Sequence, residues 1–267
     1  MSKISVPGAR IFTQTEGSGE PVLLIAGMMS DVASWGPLTP LLQPHYQIIG
    51  FDNRGAGRTI CQTARFSIDD MVSDAIAVLD NYDIEKAHIV GHSLGGLIGL
   101  RLAKSHPDRV RTLTSLAAGN VPSAESMNYF KEMLELYKSD MPVTDWYKLL
   151  LPTIFSANFF PSADLLEAGA QSAASYKYRQ SPENLQSQVD MFQTITPVET
   201  GDINLPVLSI TGQLDRAFPP DVVRRALGPL PDVHFETIEN IAHSIHWEAP
   251  QKIADKLLKF LRAHPMR

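Results

Sequence analysis

Residues 86–105 limit the possible folds most sharply. A compact apolar run at 86–90 leads into Gly91-His92-Ser93-Leu94-Gly95, and 97–105 carry helical spacing until His106-Pro107 ends the pattern. A strand that turns at once into a helix leaves the residue at its tip in a strained backbone conformation. The Ser93 hydroxyl is therefore expected to project above a sheet instead of into the core. Glycines two positions before and after the serine remove Cβ atoms that would collide as the helix folds back over the strand. In isolation the same letters fit a glycine-rich turn with an incidental serine; the strand, turn, helix context gives the G-x-S-x-G spacing its meaning.

The remaining chain is patterned to match. Short β-rich runs at 10–15, 22–25, 46–51, 111–116, 206–211 and 233–238 alternate with helical patterns, among them 67–82 and a last helix bearing Ile253, Leu257, Phe260 and Leu261. Ser67 and Asp70 have the spacing of a capping box. This alternation predicts an α/β fold with a mainly parallel central sheet and helices on both faces. It breaks at 119–204, where helical patterns occur without a convincing strand. The expected organisation is a core of 1–118 and 205–267 carrying a helical lid insertion at 119–204, and 267 residues suffice for such a single-cored domain. Within the insertion Met127, Phe130, Met133, Leu134 and Tyr137 share one helical face, and most such residues are expected to pack helices. Trp146, Phe155 and Phe159, with Gly27 and Met28 from the core, are the candidates to face a bound substrate.

Two further segments bear chemistry. The run 207–211 opens into Gly212-Gln213-Leu214-Asp215, which sets a carboxylate just beyond a strand's carboxyl end, the edge where ligands gather in open α/β sheets. A helix-capping aspartate is the alternative there. After the run 233–238 comes a loop with His243 and, three residues on, His246. Ser93, Asp215 and His243 then follow one another in the order serine, acid, histidine. A serine hydroxyl is a poor nucleophile until a positioned base takes its proton. An imidazole, with an ordinary pKa of about 6.5, can accept that proton and return it to a leaving group, and a carboxylate can fix its tautomer.

Taken together, VGHSLGG, FDNRGAGRT, TGQLDRAFP and NIAHSIHWEAP resemble the α/β-hydrolase superfamily over nearly the whole chain. The resemblance implies an α/β-hydrolase fold and a serine hydrolase with Ser93 as nucleophile, His243 as base and Asp215 as its orienting acid. Glu248 and Pro250 keep the family's frame after His243, so His246 is expected to flank the last helix structurally, and His92 to stand beside Ser93 without acting as base. The backbone N–H groups of Leu94 and Met28 are the expected oxyanion hole. The family's usual His-Gly pair in that loop is here Ala26-Gly27, so a bracing histidine side chain is missing. Arg54, in the D-x-R-G-x-G pattern, is expected to brace loops. The implied substrate is a small carboxylic ester or lactone, as in small esterases and enol-lactone hydrolases. Carbon–carbon bond hydrolysis or a lyase reaction on the same three residues, and a binding protein on this fold, remain open alternatives; Ser244 after the histidine differs from the tryptophan common in meta-cleavage hydrolases.

Several classes are disfavoured. A formal net charge of −6 with scattered Lys and Arg opposes nonspecific nucleic-acid binding. No apolar run approaches the roughly 20 residues of a membrane span, and the start lacks a secretion signal, so cytoplasmic residence is the default expectation. Cys61 is the only cysteine, which excludes an intramolecular disulfide. Neither H-E-x-x-H nor an early G-x-G-x-x-G occurs, so no metal or cofactor is expected. Oligomeric state is left open.

Overall fold

The structure is a computed structural model and describes residues 2–266. Among the described residues nine strands form one sheet: β1 (Ser2–Val6), β2 (Ala9–Glu16), β3 (Pro21–Ile25), β4 (Gln47–Phe51), β5 (Ile60–Cys61), β6 (Ala87–His92), β7 (Val110–Leu116), β8 (Val207–Gly212) and β9 (Val233–Ile238). Their order is β1-β2-β4-β3-β6-β7-β8-β9, with the short β5 against β2. From β4 to β9 every pairing is parallel, while β1, β2 and β5 pair antiparallel at one edge. The chain therefore has the mainly parallel sheet read from its sequence, plus the edge strand β1, whose exposed alternation gave too little apolar signal to reveal it.

Side-chain alternation along the strands builds two cores. In β3, Leu23 and Ile25 point to one face and Val22 and Leu24 to the other. The first face is covered by α2 (Ile68–Asn81) and α3 (Leu94–Ser105). The second is covered by the single turn α1 (Thr39–Leu42) and by α10 (Pro250–Ala263), whose Ile253, Leu257 and Leu261 are wholly buried. Helix α2 starts in a full capping box: the Ser67 hydroxyl accepts from the Asp70 N–H, and the Asp70 carboxylate accepts from the Ser67 N–H. Such a cap contributes about 1 kcal/mol.

Between β7 and β8 the chain forms α4 (Ala124–Lys138), α5 (Val143–Ile154), α6 (Ala163–Ser175) and α7 (Pro182–Gln193), and no strand. Two short helices, α8 (Pro220–Leu227) and α9 (Ile245–Glu248), lie nearer the carboxyl terminus. Strands β3, β6, β8 and β9 are parallel and in register, with Ile25 beside Gly91 and Gly212 beside Ile238, so the loops that follow them leave the same sheet edge. Connections diverge to either side between β3 and β6, the switch point at which open α/β sheets place ligands. Among the described residues no helix is long and apolar enough to cross a membrane.

Candidate active site

The turn after β6 is as tight as its glycines suggest. Ser93 has φ 52° and ψ −117°, a left-handed conformation costly for any side-chain-bearing residue, and its N–H donates to the Leu116 carbonyl at 2.9 Å. A Cβ on Gly91 would lie 2.1 Å from the Gly95 carbonyl oxygen, and one on Gly95 only 1.9 Å from that of Ile25. The two glycines thus permit α3 to press directly on β6 and β3. With those contacts fixed, Ser93 is held at the floor of a chamber of about 460 Å³.

The same chamber is lined by His243, in the loop after β9. Its Nδ1 lies 2.9 Å from Asp215 Oδ2. The second oxygen, Asp215 Oδ1, accepts from the N–H groups of Ala217 and Phe218 at 2.9 Å each. A carboxylate so held presents one fixed lone-pair direction to the imidazole, which makes Nδ1 the protonated nitrogen and turns Nε2 into the acceptor. Phe218 stacks nearly parallel on the His243 ring. Ser93 and His243 both line the chamber, but no hydrogen bond joins the Ser93 hydroxyl to the imidazole among the described residues. Such a contact is commonly long without substrate and tightens in the reacting complex.

Two further histidines, His92 and His246, form a buried cluster of tilted rings beside this pair. His92 Nε2 lies 3.0 Å from the His243 carbonyl oxygen, to which it donates, and its ring centre is 4.9 Å from that of His243. His246 packs between His92, at 4.4 Å, and Trp35, at 4.9 Å. Burial, reinforced by neighbouring His243, pushes His246 down to about 3, and burial holds His92 well below the ordinary imidazole range. Burial keeps both neutral, and His92 in addition ties the histidine loop to the end of β6.

The Met28 N–H has no acceptor among the described residues, and Leu94, as the first residue of α3, has no intrahelical acceptor for its own. Gly27 does not line the chamber; a Cβ there would sit 3.2 Å from Ser93 Cβ and 3.0 Å from His92 Nδ1, so this glycine admits close approach. The chamber wall is apolar where α4, α5 and the segment after α5 meet it, through Phe130, Leu151, Ile154, Phe155, Phe159 and Phe160. Phe155 and Phe159 stack with centres 4.4 Å apart. Trp146 is a correction. It is wholly buried within the insertion, stacked on Tyr137 at 4.2 Å with its indole N–H donating to the Met133 carbonyl, and it does not line the chamber. Its indole is satisfied by backbone on the neighbouring helix, which anchors it in the packing between α4 and α5.

Other polar residues serve as struts. Arg54 donates to both oxygens of buried Asp74 at 2.6 and 2.8 Å and to the Pro7 carbonyl, which leaves it a brace and no anion site. Tyr176 donates its hydroxyl to Asp31 at 2.7 Å, joining the insertion to the loop after β3. Glu248 accepts from the Ala242 N–H with one oxygen and from the Ser156 N–H with the other. Gln188, on α7, accepts from the Met29 N–H. The last was not foreseen from sequence, although a trace existed: Leu185, Gln188, Val189 and Phe192 fall on one helical stripe, and an amide in the midst of apolar residues there signals a buried partner.

Comparison with known proteins agrees with this architecture. Residues 20–148 match the family model for the alpha/beta hydrolase fold. The RutD protein of Azorhizobium caulinodans, assigned by name to carbamate hydrolysis, is 25% identical over 94% of this chain and 95% of its own. This chain has the α/β-hydrolase fold. Among solved structures, the thermophilic esterase of Thermogutta terrifontis superposes with a TM-score of 0.84 at 21% identity, covering 99% of this chain and 100% of that one. The enol-lactonase of Burkholderia xenovorans LB400 superposes at 0.87 and 19% identity over 98% and 100%. At these identities the two structures bear on the fold. Hydrolysis is the enzyme class that the family and its relatives support.

Proposed function

We propose that this protein is a serine hydrolase that cleaves a small carboxylic ester or lactone through an acyl-enzyme. The observation that carries the reading is the chamber itself: a serine held in a left-handed elbow and an imidazole locked onto a doubly anchored aspartate open onto one cavity. The Ser93 oxygen attacks the substrate carbonyl while its proton passes to His243 Nε2. The negative charge that develops on the carbonyl oxygen is met by the Leu94 and Met28 N–H groups. Collapse expels the alcohol, which takes the proton from His243, and leaves an acyl group on Ser93. Water, deprotonated by the same nitrogen, then releases the acid. Asp215 stabilises the imidazolium without being protonated itself.

Residues 119–204 act in this reading as a lid. Its aromatic wall suits an apolar acyl or aryl group, with Phe155 and Phe159 against it. Carbamates stand as a second substrate class, because the full-length likeness to a relative named for carbamate hydrolysis favours them and because the same attack applies to a carbamate carbonyl. Turnover of a panel of aryl esters, lactones, enol-lactones, carbamates and vinylogous diketones separates the possibilities. Esters or lactones are expected to give the highest kcat/KM, with all turnover lost in Ser93→Ala. A preference for the diketones would assign carbon–carbon cleavage, and turnover persisting in Ser93→Ala would remove the nucleophile from the scheme.

A further inference from the structure

The loop that carries one half of the oxyanion hole lacks the histidine brace common in the family, since Ala26 stands in its place. Something else must hold it, because Met29 has φ 62°, a strained conformation for a side-chain-bearing residue, directly after Met28. Asn53 secures one side by donating to the Ala26 carbonyl at 2.8 Å. The other side is held from the insertion. Gln188 Oε1 accepts from the Met29 N–H at 3.3 Å, while its Nε2 donates to the Arg54 carbonyl at 2.8 Å. The side chain is wholly buried, and both ends of its amide are employed. Gly55 makes the approach possible: it sits at φ +77°, and a Cβ there would lie 3.3 Å from Gln188 Cγ and 3.1 Å from the Asn184 carbonyl oxygen.

We infer that Gln188 is a positioning residue for the oxyanion hole, through which helix α7 of the insertion sets the direction of the Met28 N–H. The inference rests on the serine-hydrolase reading above. A single amide spans the strained peptide at 29 and the turn at 54–55, and Arg54 is itself fixed by its ion pair with Asp74. The hole is thereby referenced to a rigid part of the core by way of the insertion. Loss of the amide frees the peptide at 29 to relax from its left-handed conformation, which rotates the neighbouring donor away from the developing oxyanion. Ground-state binding, governed by the apolar wall, is left alone.

Gln188→Met keeps side-chain length and removes both hydrogen bonds. Its kcat for an aryl ester is expected to fall by about 10- to 100-fold with KM within about twofold, somewhat less than the roughly 10²- to 10³-fold that follows outright removal of an oxyanion donor. Affinity for a trifluoromethyl ketone, whose adduct carries the oxyanion, should fall in step with kcat. Gly55→Ala, whose methyl would push on Gln188 without deleting it, supplies an independent second variant and is expected to show the same split. Ser187→Ala, a neighbour whose hydroxyl bonds back within α7 to Glu183, should behave as wild type. Unchanged kcat in Gln188→Met and Gly55→Ala, or a loss confined to KM, would overturn the inference while Ser93→Ala inactivity kept the proposed function intact. Turnover in Ser93→Ala would remove both.

Discussion

Three imidazoles crowd the site, and in the proposed mechanism their environments sort them into one base and two spacers. His243 has a carboxylate on Nδ1 and faces the chamber with the other nitrogen. His92 and His246 are buried against each other, and a charge on either would be desolvated with no anion to meet it. Their folded-state affinity for protons lies below that of the unfolded chain, in which an imidazole titrates near pH 6.5. Acid therefore favours the unfolded state: the contribution to stability is complete above about pH 6.5 and is lost as pH falls below it toward the folded value, about 3 for His246. Between pH 7 and 5 the Tm should drop, and His246→Gln should shallow that drop while keeping kcat within about threefold of wild type. His243→Ala should lower kcat by several orders of magnitude. Equal losses from the two substitutions would mean that the base had been assigned to the wrong ring.

At the scale of elements, the histidine loop and the insertion are cross-linked by backbone. The Ser244 N–H donates to the Ile154 carbonyl at 2.8 Å, and Glu248 gathers the N–H groups of Ala242 and Ser156 at 3.0 and 3.2 Å. Phe155 lies between the two insertion residues so engaged, so the wall of the chamber and the loop of His243 share one set of struts. The sequence showed Glu248 only as a spacing after His243; that its carboxylate joins two segments 92 residues apart was not legible, because the residue opposite is backbone and leaves no side-chain signature. Glu248→Gln puts an amide donor against one of two N–H groups. A destabilisation of about 1–3 kcal/mol is expected, the usual cost of leaving a partly buried donor unpaired, and urea denaturation measures it. A change below about 0.5 kcal/mol would contradict the bridging role.

For the molecule as a whole, what local pattern encodes was readable and what depends on packing between distant segments was not. The strand, elbow, helix at 86–105 is written in consecutive residues, as are the strands whose carboxyl ends carry Asp215 and His243, and the sheet brings those ends to one edge. Trp146 reads as an aromatic available to substrate, yet the choice between cavity and core is made by Tyr137 and Met133 on another helix. Gln188 reads as an ordinary polar residue until α7 is docked on the 52–57 turn. Fold thus follows from periodicity, while the fine placement of the loop after β3 follows from contacts across some 159 residues of chain.

The proposed chemistry requires the Ser93 Oγ to be the atom that bonds to substrate carbon, and capture of that bond is its most direct test. The protein is treated with a fluorophosphonate probe, digested, and the modified peptide sequenced by mass spectrometry. A single adduct on Ser93 is expected, slowed by orders of magnitude in His243→Ala and absent in Ser93→Ala. Labelling of any other residue, or none in wild-type protein that turns over esters, would contradict it.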